Sequence, residues 1–179
     1  MRRVSVVGNS GSGKSTLGRA LAARLAVPYV ELDAVHHLPG WQERPLEEYR
    51  LLVAEAAAGD GWVIDGNYRQ VQDIVWTRAD TVVWLDPPRR RVMTRVVRRT
   101  LVRVVTRREL WNGNREPWSN LWSLDPYKSI VAWSWTRHAV YRARYEASMA
   151  DPRWSHLRFV RLQTEADRAS LLSSLSGSG

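Results

Sequence analysis

The sequence of 179 residues contains no cysteine, only two lysines and a single phenylalanine. The absence of cysteine excludes disulfide bonds and metal sites with thiolate ligands. No run approaches the ~20 consecutive apolar residues that a membrane-crossing helix needs, and the first residues lack the apolar stretch of a secretion signal. These absences predict a soluble, cytoplasmic protein without a membrane partner, and the length predicts one domain over residues 1–179.

Positive charge is concentrated in one segment of the chain. Residues 89–115 contain ten arginines and one acid, Glu109, so this segment carries the whole formal net charge of +9. Half of these arginines recur at every fourth position, namely Arg91, Arg95, Arg99, Arg103 and Arg107. Like charges at this spacing repel one another on a helix. Anions of a ligand, or acids elsewhere in the fold, are therefore expected to compensate for them.

A glycine-rich motif follows the first apolar run. Residues 8–15 read GNSGSGKS, which matches the pattern G-x-x-x-x-G-K-[ST]. Residues 4–7 before the motif predict a strand, and residues 15–26 after it predict a helix. This context predicts a loop whose backbone N–H groups and helix N-terminus bind the phosphates of a nucleoside triphosphate, either ATP or GTP.

The positions of the motif have distinct predicted roles. Lys14 is expected to reach the β- and γ-phosphates, and Ser15 to bind Mg²⁺. Further nucleotide contacts are predicted for the rest of the loop and the start of the helix, namely Gly8, Asn9, Ser10, Gly11, Ser12, Gly13 and Thr16.

Short apolar strands alternate with helical patterns along the rest of the chain. Strands are predicted at 28–33, 62–65, 81–85 and 157–162, and helices at 45–58, 71–79, 89–110, 127–149 and 165–175. This alternation predicts a three-layer α/β/α domain with a central five-stranded parallel sheet. Ligands of such sheets bind at the carboxyl ends of the strands, where Gly8, Asp33 and Asp65 are all predicted to lie.

Two acids at predicted strand ends are candidate site residues. Asp33 is interpreted either as a catalytic base for an acceptor hydroxyl or as a capping acid for the next turn. Asp65 is interpreted either as the acid that orders Mg²⁺ or as a turn residue before Gly66. Because a glycine rather than a second acid follows Asp65, a dedicated ATPase or GTPase is disfavoured.

These segments resemble P-loop kinases of nucleotides and small molecules. Residues 65–69, DGNYR, resemble the D-G-F-P-R stretch of nucleoside monophosphate kinases such as adenylate kinase. In that family the Asp orders Mg²⁺ through water and the Arg holds the acceptor phosphate; Asn67 and Tyr68 replace Phe and Pro here. Asp33 matches the acid that lies near the acceptor hydroxyl in shikimate and gluconate kinases.

The pattern L-D-x-x-x-x-x-P-G-W, followed by D-G-N-Y, resembles bacterial proteins described as adenylate kinase-like or topology-modulation (FlaR-related) P-loop kinases. Phosphotransferases that inactivate nucleoside antibiotics have a similar scaffold. The resemblance covers roughly the first 110 residues. It implies a lid, placed at about residues 106–126. It also implies lid arginines that contact the transferring phosphoryl group, with Arg103, Arg107, Arg108 and Arg115 as the candidates.

Polar and aromatic residues near Asp33 and in the lid are predicted to bind the acceptor. The set comprises His36, His37, Trp41, Asp65, Asn67, Tyr68, Arg69, Trp111, Trp118 and Trp122. The two histidines fit exposed loop positions equally well. The tryptophans are candidates for stacking on a base or a sugar.

Together these features predict Mg²⁺-dependent transfer of a γ-phosphoryl group to a hydroxyl of a small molecule, with a nucleoside-type antibiotic or metabolite as one acceptor class. Two alternatives stay open. Arg69 favours a nucleoside monophosphate kinase. The arginine segment and the loop tryptophans favour a nucleotide-gated regulator that binds nucleic acid. The sequence does not fix the oligomeric state.

Overall fold

The computed structural model describes residues 1–107, 109–123, 125 and 129–175. Its strands are β1 (Arg3–Gly8), β2 (Tyr29–Glu31), β3 (Trp62–Asp65), β4 (Thr81–Leu85) and β5 (Arg158–Leu162). Its α-helices are α1 (Lys14–Leu25), α2 (Leu32–His36), α3 (Leu46–Ala56), α4 (Gln72–Arg78), α5 (Arg89–Val105), α6 (Ser119–Trp122), α7 (Ile130–Ala150) and α8 (Glu165–Ser174). Among these, no helix is both long and apolar enough to cross a membrane.

The five strands form one parallel sheet in the order β2-β3-β1-β4-β5. The register places Val6 of β1 opposite Asp65 of β3, and Gly8 of β1 opposite Leu85 of β4. The predicted five-stranded parallel sheet is therefore confirmed. Its topology brings the phosphate-binding motif, which follows β1, next to the acid that ends β3.

Each face of the sheet is covered by a separate apolar cluster, as the three-layer prediction requires. Val4 and Val6 of β1 pack with Leu17 and Leu21 of α1 on one face. Val7, one residue further, belongs to the cluster on the other face, because successive side chains of a strand point to opposite sides. Large aromatic side chains fill this second cluster, namely Tyr49, Trp62, Trp76, Trp84 and Tyr145. Burial on both faces fixes the strand register and hence the relative positions of the loops at the carboxyl edge.

The second strand is shorter than predicted. It ends at Glu31, and residues 32–36 form helix α2 instead of continuing the strand. Leu32 is buried in the core, and Asp33 lies in the first turn of α2, where the helix N-terminus stabilises a negative charge. Glu31 rather than Asp33 therefore lies opposite Asp65 in the sheet.

The predicted lid also contains more local structure than a loop. Helix α5 ends at Val105 rather than at residue 110, because Arg107 adopts a left-handed conformation with φ of 49°. A 3-10 turn at Trp111–Gly113 and helix α6 follow. Helix α7 begins at Ile130, where the Ser129 side chain accepts a hydrogen bond from the Ala132 amide.

The phosphate-binding loop packs closely against α5 at Gly11. The φ of Gly11 is +79°, and a Cβ at this position would lie 2.3 Å from Val96 Cγ2 and 3.0 Å from the Val92 carbonyl oxygen. We expect Gly11→Ala to lower the free energy of unfolding by about 2–5 kcal/mol, since it adds overpacking to left-handed strain. Urea unfolding monitored by circular dichroism measures this change.

Gly40→Ala is the matched control for this prediction. The φ of Gly40 is +73°, but apart from its two chain neighbours no described residue has an atom within 4 Å of the Cβ position. Gly40→Ala should lower the free energy of unfolding only by the cost of backbone strain, about 1–2 kcal/mol. Equal losses in the two variants would contradict the close packing of the loop on α5.

Candidate active site

The loop between β1 and α1 forms a cradle of hydrogen-bond donors. Gly13 has a φ of 97°, and the first backbone hydrogen bond of α1 runs from the Leu17 amide to the Gly13 carbonyl, at 3.1 Å. The preceding amides have no acceptor within the helix and lie at its positive end. The Ser12 hydroxyl is fully buried and has no hydrogen-bond partner among the described residues. This environment fits the phosphates of a nucleotide.

Three other segments hold this loop in place. The Asn67 side chain donates to the Gly8 carbonyl at 2.7 Å and accepts from the Gly8 amide at 3.0 Å. The Asn9 side chain donates to the Ser134 carbonyl of α7 at 2.7 Å, and the Arg168 guanidinium of α8 donates to the Ser12 carbonyl. Side chains from three other parts of the fold thus fix the conformation of the loop.

The arginines of α5 contact different partners along the cradle. Arg99 Nη2 donates to Ser10 Oγ in the loop at 3.0 Å. One turn earlier Arg95 pairs with Glu165 at 2.5 Å, and one turn later Arg103 pairs with Glu116 at 2.9 Å. The charges of Glu31 and Asp33 also act on Arg99. Arg99 therefore lies between the phosphate-binding loop and the acids at the sheet edge.

Oxygen atoms suited to Mg²⁺ lie beside Ser15. The Ser15 hydroxyl donates to Glu31 Oε1 at 2.9 Å, and Glu31 is the register partner of Asp65. Mg²⁺ prefers oxygen ligands and keeps several waters. Among the described residues, no group of three or more histidines, cysteines or acids could hold a metal by itself. Ser15 and Glu31 thus offer oxygen atoms of the kind that Mg²⁺ prefers.

Asp65 is almost completely buried and accepts a hydrogen bond from the Tyr29 hydroxyl at 2.6 Å. Burial raises the pKa of Asp65 to about 6, while the nearby Lys14 and the Tyr29 hydrogen bond act in the opposite direction. The charges of Glu31 and Asp33 add to the rise. A cation bound among these acids would relieve their mutual repulsion.

Asp33 has one carboxylate oxygen held by the protein. The Tyr68 hydroxyl donates to Asp33 Oδ1 at 2.7 Å, and His37 Nε2 lies 3.4 Å from the same hydroxyl. Burial raises the pKa of Tyr68 and lowers the pKa of His37. Tyr68 therefore stays protonated as a donor to Oδ1, and none of the described residues donates a hydrogen bond to Asp33 Oδ2.

Aromatic side chains form a wall beside Asp33, between the loop after α2 and the lid. His37 stacks on Trp111 with ring centroids 6.4 Å apart, and Trp41 meets His37 edge-on at 5.3 Å. His36 is buried, with its ring 4.5 Å from that of Tyr68. The wall thus brings together candidate residues from three separate segments.

The lid is hydrogen-bonded to the loop after α2. The Asn114 side chain accepts from the Trp41 amide at 2.9 Å and donates to the Leu38 carbonyl at 2.9 Å. The Asn112 side chain donates to the His37 carbonyl at 2.5 Å, and Trp41 Nε1 donates to the Arg115 carbonyl at 3.0 Å. The two segments therefore form one cover over Asp33.

Several predicted site residues lie at the margin of this arrangement. Thr16, Arg69, Arg107, Arg115 and Trp118 are exposed. The side chains of Arg107 and Arg115 make no hydrogen bond or ion pair with the described residues, so their phosphate contacts stay predictions. Asn67 is engaged by the Gly8 backbone rather than open to an acceptor. Arg108 and the side chain of Trp122 lie outside the described residues.

The sequence analysis did not single out four residues that the structure places at the site. Arg99 was noted in the arginine repeat but not as a ligand, and Glu31, Glu116 and Arg144 were not considered. Glu31 had a local signal, because it is an acid only two positions before Asp33. Glu116 pairs with Arg103, 13 positions away, and Arg99 and Arg144 depend on contacts between distant segments. Arg144, for example, donates to the Asn67 carbonyl across 77 positions.

Comparison with known proteins shows similarity at the level of the fold. No protein-family model matches the chain, and no match was found among curated proteins. The structure of shikimate kinase from Acinetobacter baumannii in complex with shikimate superposes with a TM-score of 0.58 and 16% identity, over 99% of this chain and 95% of that one.

Two further solved structures give the same result. A gluconokinase from Sinorhizobium meliloti 1021 has a TM-score of 0.52 and 20% identity, over 98% of this chain and 93% of that one. Shikimate kinase from Bacteroides thetaiotaomicron has a TM-score of 0.51 and 16% identity, over 97% and 96%. The chain therefore has the fold of the P-loop small-molecule kinases, as the resemblance implied.

The raised pKa of Asp65 makes stability depend on pH. The ordinary pKa of an aspartate is 3.8, and the pKa of Asp65 in the folded protein is about 6. Between these two pH values the folded protein binds more protons than the unfolded chain. The stability that Asp65 contributes by binding this proton is fully present below the ordinary pKa. It is lost as the pH rises through the raised pKa of Asp65. We expect Asp65→Asn, which still accepts from Tyr29, to remove this fall in stability.

Urea unfolding at several pH values without Mg²⁺ or nucleotide measures the effect. Asp60→Asn, a change at an exposed loop acid, is the control and should keep the wild-type slope. If Asp65→Asn keeps that slope too, Asp65 is not the buried carboxyl that titrates in this window.

Proposed function

We propose that the protein is a Mg²⁺-dependent phosphotransferase that moves the γ-phosphoryl group of ATP or GTP to a hydroxyl of a small molecule. The position of Asp33 carries the proposal. Its carboxylate acts electrostatically on Arg99, which contacts the phosphate-binding loop, and it is held by Tyr68 beside the aromatic wall. A base between the donor cradle and an acceptor surface is what transfer to a hydroxyl requires. The fold's neighbours are enzymes named as a shikimate kinase and a gluconokinase.

The donor phosphates would lie on the loop amides and the N-terminus of α1. Lys14, whose Nζ now lies 3.4 Å from the Asn9 carbonyl, would turn to the β- and γ-phosphates. Arg99 would bind phosphate oxygens through its planar guanidinium, which keeps its charge in a buried site. The cytoplasm, where such nucleotides are made and used, is the expected location.

Ser15, Glu31 and Asp65 would hold Mg²⁺, directly or through water. When bound, the ion would supply positive charge that offsets the charge of the phosphates. Ser15 would exchange its present hydrogen bond to Glu31 for contact with the ion. Glu31 also accepts from Arg19 at 3.0 Å, which keeps its carboxylate oriented towards α1.

Asp33 would accept the proton of the acceptor hydroxyl at Oδ2, while Tyr68 keeps Oδ1 in place. The acceptor oxygen then forms its bond to the γ-phosphorus, and the bond between that phosphorus and the β,γ-bridging oxygen breaks. The nucleoside diphosphate leaves with the electron pair of that bond. Arg99 and Lys14 stabilise the charge that develops on the moving group.

The cover formed by the lid and the loop after α2 would exclude water from this reaction. Its aromatic wall gives the acceptor side an apolar, flat surface that suits a ring. A nucleoside-type metabolite or antibiotic combines such a ring with a hydroxyl. We therefore propose this class as the first acceptor to test.

A nucleoside monophosphate kinase is the second candidate. Arg69 and Arg144 lie close enough for the charge of Arg69 to lower the pKa of Arg144, an effect second to burial. Two neighbouring cations, Arg69 in the segment after β3 and Arg144 on α7, favour an acceptor that carries an anion. The nucleic-acid-binding regulator has less support, since Arg95, Arg99 and Arg103 have partners within the protein.

The decisive experiment measures ADP and GDP formation from Mg²⁺-ATP and Mg²⁺-GTP against a panel of acceptors. The panel contains nucleosides, nucleoside antibiotics, sugars, nucleoside monophosphates and DNA, and Lys14→Ala is the inactive control. Strong stimulation by one hydroxyl compound is the expected result. Stimulation by a monophosphate alone would favour the second candidate, and salt-sensitive DNA binding without turnover would favour the regulator.

Loss of the Asp33 carboxylate should affect chemistry rather than nucleotide binding. We expect Asp33→Asn to lower kcat for a hydroxyl acceptor by about 10²–10⁴-fold, while the Kd for the nucleotide changes little. Steady-state kinetics and calorimetric titration measure the two quantities. Asp60→Asn should match wild type in both, and a fully active Asp33→Asn protein would remove Asp33 as the base.

Arg99 should differ sharply from its neighbour on the same helix. Arg99→Met removes the cation beside Ser10, and we expect kcat/KM to fall at least about 10²-fold, by analogy with other losses of transition-state charge stabilisation. Arg98→Met removes an exposed cation and should leave kcat/KM near the wild-type value. Similar losses in both variants would indicate a general effect of net charge.

A further inference from the structure

A buried carboxylate of the lid lies among the arginines of α5. Glu116 Oε1 is 2.9 Å from Arg103 Nη1, and only 5% of the Glu116 side chain is exposed, against 21% for Arg103. Such burial is rare for a glutamate unless it is paired with a cation. The pair joins the lid to the helix that contacts the phosphate-binding loop.

This cluster has unused hydrogen-bonding capacity. Glu116 Oε2 and Arg99 Nε are both buried and have no hydrogen-bond partner among the described residues. Burial and the charge of Arg103 lower the pKa of Arg99, whereas the charge of Glu116 acts in the opposite direction. The negative charge of Glu116 thus acts on both Arg103 and Arg99, and one carboxylate does not fully compensate for two cations.

We propose that Glu116 is an internal substitute for the nucleotide phosphates, which neutralises Arg103 and Arg99 in the free protein and releases Arg103 when the donor binds. The inference rests on the proposed function, since it takes the cradle beside Ser10 to be the donor site. Arg99 links the two sides of the exchange, because it donates to Ser10 Oγ of the loop at 3.0 Å and the charge of Glu116 acts on it.

Competition between two anions follows from their chemistry. A phosphate oxygen and a carboxylate oxygen bind the same guanidinium edge, and they repel each other when both are close. Donor binding must therefore displace Glu116 from Arg103. After transfer, the return of Glu116 to Arg103 favours release of the nucleoside diphosphate.

A different role for Glu116 predicts a change of the nucleotide Kd in the opposite direction. If Glu116 only orients Arg103 for phosphate binding, its neutralisation weakens nucleotide binding. If Glu116 occupies the place of a phosphate, its neutralisation strengthens binding. The direction of the change in Kd separates the two roles.

The test compares Glu116→Gln with Glu109→Gln. Glu109 is an exposed acid of the same lid, so both variants have the same net charge and the same chemical change. Calorimetry measures the Kd for a non-hydrolysable ATP analogue with Mg²⁺. We expect the Kd of Glu116→Gln to be about threefold to tenfold lower than that of Glu109→Gln, the range for one ordinary hydrogen bond.

Thermal unfolding gives a readout that does not depend on turnover. The free Glu116→Gln protein loses the anion that compensates two arginines, so its Tm should fall below that of Glu109→Gln. The rise in Tm on adding the analogue should be larger for Glu116→Gln than for Glu109→Gln, because tighter binding stabilises the folded state more. If Glu116→Gln does not fold, Glu116→Met is compared with Glu109→Met in the same way.

The outcomes separate this inference from the proposed function. Wild-type protein that binds no Mg²⁺-nucleotide would overturn both. Wild-type binding together with an equal or higher Kd in Glu116→Gln would overturn only the role of Glu116 and leave the kinase proposal standing.

Discussion

The phosphate-binding loop can lie against α5 only because Gly11 has no side chain. At this contact the loop approaches the buried face of α5 near Val92 and Val96. The same helix carries Arg99, whose guanidinium donates a hydrogen bond to Ser10 of the loop. A close packing contact between two backbones thus determines where the positive charge of the chain meets the presumed donor phosphates. Separate partners of Arg95, Arg99 and Arg103 relieve part of the repulsion expected from the arginine repeat.

The acceptor side depends on the shortness of β2. Because the strand ends at Glu31, the sheet edge presents Glu31 beside Ser15 and Asp65, while Asp33 lies one step further on α2. The two acids are thereby separated into different surroundings. Glu31 faces the cradle and the candidate Mg²⁺ site, and Asp33 faces Tyr68 and the aromatic wall. A continuous strand through residue 33 would not have divided them in this way.

Features encoded over short stretches of sequence could be predicted. Apolar periodicity located all five strands, and the glycine motif located the loop, since both depend on neighbouring residues. The end of β2 was wrong by two residues, because burial of Leu32 in the core outweighed its strand-like surroundings. The end of α5 was wrong because Arg107 adopts a left-handed conformation that no local pattern marks. The partners of Arg99 and Arg144 are 89 and 77 positions away, and only the folded chain shows them.

The central claim is that the phosphoryl group passes from the cradle to a hydroxyl beside Asp33. Phosphorus-31 NMR of the product, formed by wild-type protein with Mg²⁺-ATP and its best acceptor, tests this claim most directly. The account predicts a new phosphomonoester resonance, split by the proton on the carbon that bears the former hydroxyl. A second diphosphate besides the ADP formed from the donor, or inorganic phosphate and ADP without a phosphomonoester, would contradict it.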